Sequence, residues 1–157
     1  MFPSPELDSL NSAKYIFLRE LSEPRDNSLR LIVDEAVANR ARMVQIPELP
    51  ELAAIAKDAS LIELFWKHYC AHLVTEASVG SCAEHGDETY TGKLFRVYTK
   101  SHFLDHLARD TGAHTQPIQH YKLTCQNHLI DIASYAPPDI RVTVKTSSSR
   151  ARPLVTP

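Results

Sequence analysis

Clusters of turn-forming residues recur at short intervals along this sequence. Between them lie short runs dense in branched and aromatic residues, with no rhythm of long helices alternating with strands. That punctuation favours an antiparallel arrangement over a doubly wound parallel sheet. The clearest case is 14–21 (KYIFLREL), which stops at the turn cluster Ser22-Glu23-Pro24-Arg25-Asp26-Asn27. A second run follows over 28–37, where Leu29, Leu31 and Val33 alternate with Arg30, Ile32 and Asp34. Period-two alternation on both sides of a short loop predicts an antiparallel hairpin.

Further strands are predicted at 93–99 (KLFRVYT), at 118–125 and 128–134 around Gln126-Asn127, and at 140–144 (IRVTV). Ser101 is a predicted N-cap of a helix whose stripe is Phe103, Leu104, Leu107 and Ala108, with Gly112 as its stop. A second short helix is predicted within 48–58 (ELPELAAIAKD). The stretch 61–76 (LIELFWKHYCAHLVTE) supports two readings. Ser60 and Glu63 have capping-box spacing for a helix, whereas the aromatic density and too broad an apolar face favour a long, bent strand. The strand is preferred. The sum is an α+β fold, mainly an antiparallel sheet of six to eight strands with two short helices.

At 157 residues the chain has the length of one domain. Residues 1–13 read as a loose N-terminal segment, 14–146 as a single α+β domain, and the Ser- and Pro-rich 147–157 as a disordered tail. A net charge of −2 argues against a nucleic-acid partner. No apolar run approaches the roughly 20 residues that span a bilayer, which excludes a helical membrane anchor. Three cysteines and a start (MFPSP) without a charged or apolar leader pattern predict a cytoplasmic location.

All eight histidines fall between His68 and His128. On a helix, His68, His72 and Glu76 would share one face and suit a transition metal such as zinc. On a strand the two imidazoles stand about 13 Å apart and no cofactor is expected. His102 and His106 flank Asp105 on the predicted helix and read as a solvated flank. His120, His128 and Asp131 form the alternative acid–base set, with Cys125 or Ser134 as nucleophile, although no nucleophile elbow or glycine-rich phosphate loop occurs. Cys125 reads more simply as a small buried residue. The loop 78–92 carries Glu84, Asp87, Glu88 and Tyr90, an acidic element with an aromatic anchor that suits a basic cleft on a protein partner.

The stretches FRVYTKSHFLDHL (95–107) and HYKLTCQNHLIDIAS (120–134) resemble a group of small bacterial cytosolic proteins of the toxin-immunity or accessory type. The resemblance carries no catalytic motif and transfers no site residue. It implies a non-enzymatic binding protein, an immunity-type inhibitor that neutralises a cognate toxin domain. Two alternatives stand beside it: a histidine-based or metal-dependent enzyme centred on 68–128, and a small-ligand-binding β-domain with an apolar pocket.

Overall fold

The computed structural model describes residues 5–38, 53–55, 60–79, 86–111 and 116–144. In chain order its elements are α1 (Pro5–Ser12), β1 (Tyr15–Ser22), β2 (Leu29–Ala38), β3 (Ala53–Ile55), β4 (Ser60–Trp66), β5 (Ala71–Glu76), β6 (Thr89–Thr91), β7 (Phe95–Lys100), α2 (His102–Thr111), β8 (Gln119–Thr124), β9 (His128–Ser134) and β10 (Asp139–Val144). Every strand pairing is antiparallel. The first sheet runs β1-β2-β4-β10, with β3 on the end of β2, and the second runs β5-β9-β8-β7-β6. Two of the ten strands, β3 and β6, are three-residue pieces, so eight longer strands carry the α+β architecture expected from the sequence.

The predicted hairpin forms as β1–β2, and Leu29, Leu31 and Val33 are all fully buried on one face. The segment 61–76 is extended, but its bend at Lys67–Cys70 is a change of sheet. Its first half buries Ile62, Leu64 and Trp66 as β4, and its second half joins the second sheet as β5, where Leu73 and Val74 are both exposed. Two half-segments serving two sheets explain an apolar pattern too broad for one face.

Two expectations are corrected. Residues 53–55 of the proposed 48–58 helix form β3, paired with Ala36–Ala38. The rest of that stretch, like the 147–157 tail, lies outside the described residues. The supposedly loose N-terminal segment contains α1. Pro5 is compatible with a first turn, and Leu7 and Leu10, three residues apart, share the face that enters the core. Asn11 then fixes the helix in place, its Oδ1 accepting from the N–H groups of Lys93, Leu94 and Phe95 at 2.9, 3.0 and 3.0 Å.

The inner faces of both sheets share one core. Trp66 on β4 meets Phe95 and Tyr121 of the second sheet at ring-centroid distances of 6.4 and 5.9 Å. The β8–β9 turn is stitched to β1: the Gln126 N–H donates to the Ile16 carbonyl at 2.8 Å, and Asn127 bonds Leu18. α2 covers part of the second sheet's outer face, where Phe103 packs on His120. Its predicted stripe is only half-buried, and Ala108 is exposed. Among the described residues no helix is long and apolar enough to cross a membrane.

Candidate functional site

Where β7 hands over to α2, Ser101 takes the N-cap position. Its Oγ accepts from the Leu104 N–H at 3.3 Å, the usual service of a cap to an orphan donor. The same oxygen lies 2.6 Å from His120 Nδ1. On the far side of that ring, Nε2 lies 2.9 Å from Asp131 Oδ1, and Lys122 Nζ lies 3.4 Å from the same carboxylate oxygen. The strand register makes this geometry. Lys122 stands opposite Asp131 and His120 opposite Ala133, so His120 and Asp131 are diagonal neighbours on one face.

One proton assignment satisfies every partner. The Ser101 hydroxyl donates to Nδ1, and Nε2–H donates to Asp131. Tyr98 stacks on the imidazole at 4.3 Å and Phe103 closes over it at 5.0 Å. Ser101, His120 and Asp131 retain only 3%, 2% and 8% of their surface.

A hydroxyl, an imidazole and a carboxylate in relay are the parts of a nucleophilic site. A nucleophile also needs room for a reacting atom about 3 Å away. Ser101 Oγ is buried and already holds the helix cap. The arrangement therefore acts as a closed polar lock between β8, β9 and the start of α2.

Directly outside the lock lies an acidic corner. The Glu88 carboxylate accepts from the His102 N–H at 2.8 Å, and Asp87 Oδ1 lies 2.9 Å from His102 Nε2. Lys100 Nζ stands 4.0 Å from the other Asp87 oxygen. The hydrogen bond from His102 holds the Asp87 carboxyl below the usual aspartate range. Tyr90 packs on Tyr98 at 5.0 Å, with the Arg96 guanidinium 4.3 Å over its ring. Of the four residues read from sequence as a binding element, Asp87 and Glu88 thus meet at His102, while Tyr90 lies on β6 against Tyr98. Glu84 lies outside the described residues.

The other candidates disperse. His68 falls in the bend beside Tyr135, while His72 and Glu76 lie along β5. No three His, Cys, Asp or Glu side chains among the described residues form a group able to hold a metal ion. His128 does not join His120 and Asp131. It shares the parity of Ile130 and Ile132 on β9, which turns it to the opposite face. There its Nδ1 is buried without a hydrogen-bond partner among the described residues, and its cross-strand neighbour is Glu76.

Neither proposed nucleophile is poised. Burial pushes the Cys125 thiol up to about 12, so it stays protonated. The Ser134 hydroxyl is held 2.7 Å from the His68 carbonyl and 2.9 Å from that of Ala136. His106 pairs with Asp110, not Asp105, at 3.4 Å on an exposed helix flank. A hollow of about 280 Å³ lies over the outer face of the first sheet, lined by residues that include Arg25, Arg30, Glu63, Phe65 and Arg141. Its charged lining differs from the apolar pocket expected of a small-ligand-binding β-domain.

No family model, curated protein or solved structure matches the chain. Function is therefore argued from these side chains. Sequence spacing identifies Ser101 only as a helix cap. The missed signal is its place, directly after a strand paired with the strand that carries His120.

Proposed function

We propose that the chain is a non-enzymatic binding protein of the toxin-immunity kind, offering the Asp87–Glu88–Tyr90 corner to a basic cleft on a protein partner. The observation that carries this reading is the anchoring of both carboxylates to His102 at the start of α2. Groups already held in place lose little freedom on binding, so more of their interaction energy appears as affinity. His102 and Lys100 offset part of the acidic charge, which leaves charge to steer the encounter and Tyr90 to supply contact area.

The test is calorimetric titration of the full chain against toxin domains encoded beside its gene. Binding is expected, with Asp87→Lys/Glu88→Lys weakening it by about tenfold or more, roughly 1.4 kcal/mol. Failure of every such domain to bind, or full affinity in the charge-reversed variant, overturns the proposal.

The relay Ser101–His120–Asp131 favours a second reading, a serine hydrolase whose lock opens on substrate binding. A fluorophosphonate probe separates the two. Ser101 stays unlabelled in the native binding protein, whereas labelling that requires His120 would install the hydrolase instead.

A further inference from the structure

β5 is an edge strand. Among the described residues it pairs only with β9, and its Leu73 and Val74 expose 51% and 39% of their surface. Its sequence, Ala-His-Leu-Val-Thr-Glu, contains no proline or lysine, two devices by which natural edges discourage pairing. The edge at β1 differs, because Gln126 and Asn127 already occupy its outward backbone groups at Ile16 and Leu18.

The ladder on the inner side of β5 fixes which backbone groups point outward. Ala77 N–H donates to the Asn127 carbonyl at 3.1 Å, one step beyond the Glu76–His128 pair. Bonding positions alternate along an antiparallel strand, so Ala71, Leu73 and Thr75 bond β9. His72, Val74 and Glu76 then direct their N–H and C=O groups away from the sheet.

We propose that two copies of this chain join through β5, antiparallel about a two-fold axis at Val74, merging two five-stranded sheets into one. Three outward positions on each copy can all pair in one register only: Val74 opposite Val74, and His72 opposite Glu76 of the second copy. The side-chain chemistry agrees with that register. The two-fold axis generates the His72–Glu76 contact twice, an imidazole facing a carboxylate each time. Leu73 falls opposite Thr75 of the second copy on the other face, which covers its exposed surface. In the single chain the His72 ring meets Tyr69 at 5.1 Å, and Glu76 accepts from the Ser78 hydroxyl at 2.6 Å. Both leave capacity for a further partner, since a carboxylate has about four acceptor sites and the ring two nitrogens. The surface is self-complementary, which is the requirement for an isologous contact. It lies at the opposite edge of the second sheet from β6, so it is independent of the acidic corner.

Sedimentation equilibrium of the full chain, at concentrations up to roughly 100 μM as suits a small interface, tests this. The native chain is expected to approach twice its 17.7 kDa mass. Val74→Lys, at an exposed position and with an unchanged circular dichroism spectrum, is expected to be monomeric. His72→Glu alone opposes two carboxylates and weakens the dimer about tenfold or more, while His72→Glu with Glu76→His restores it. A monomeric native chain, a dimer unaffected by Val74→Lys or no rescue by the double swap each overturns the proposal.

Discussion

The Asn127 side-chain amide and the Leu18 backbone exchange two hydrogen bonds, Leu18 N–H to Oδ1 and Nδ2–H to the Leu18 carbonyl, both 2.9 Å. The carboxamide imitates a neighbouring strand's peptide at the point where β1 bulges between Leu18 and Glu20. Asn127→Ala strands both Leu18 groups and is expected to cost about 2 kcal/mol, measured by urea denaturation. Asn127→Asp keeps an acceptor but loses the donor and sets a carboxylate against a carbonyl, so it should cost at least as much.

Trp66 bridges the two sheets while its Nε1 is buried with no hydrogen-bond partner among the described residues. Trp66→Ala should cost about 3–5 kcal/mol through the cavity it leaves. Trp66→Phe keeps an aromatic ring and removes the orphan donor, so about 1 kcal/mol is expected. Thermal unfolding of the two variants reads the difference.

Breaking the buried lock has an asymmetric cost. His120→Ala leaves the Asp131 carboxylate inside the protein with Lys122 as its remaining charged partner, and about 3 kcal/mol is expected. The double variant His120→Ala/Asp131→Ala should cost clearly less than the sum of its singles, because the second substitution removes the stranded charge. A double-mutant cycle by chemical denaturation checks this, and additive costs would refute it.

Asp87 should titrate below the ordinary aspartate range, and His102→Ala should move it back upward, as followed by carboxyl carbon NMR. The sign is that of a depressed acid. Stability from this contact is present above the ordinary aspartate value and fades as pH falls through the lower folded value. An unchanged Asp87 titration in His102→Ala would assign the depression to another cause.

Where one face of a strand meets the core, the sequence announces it. Leu29, Leu31 and Val33 foretell β2 because their alternation and their burial are the same fact. α1 is obscured because proline, serine and asparagine dominate its composition, and the informative pair, Leu7 and Leu10, is brief. The stretch 61–76 is ambiguous for a different reason: two sheets divide its apolar residues, and no local pattern encodes that division. At the site, His120 and Asp131 are legible together once Gln126-Asn127 is recognised as a hairpin turn. Counting residues in twos would then have excluded His128. Ser101 is not legible as their partner, since only the packing of α2 on the second sheet brings its hydroxyl to the ring.

β4 and β10 are neighbours in the first sheet, yet all of the second sheet lies between them along the chain. Strands β5 to β9 form one continuous stretch that can assemble from its own hairpins. The free side of β4 must wait until that stretch has brought its two ends together, because pairing Phe65 with Asp139 closes a long loop whose entropy is recovered only once the stretch is ordered. Closure of β10 onto β4 is therefore expected to come late in folding. A lesion in the second sheet should delay completion of the first without touching a residue in it.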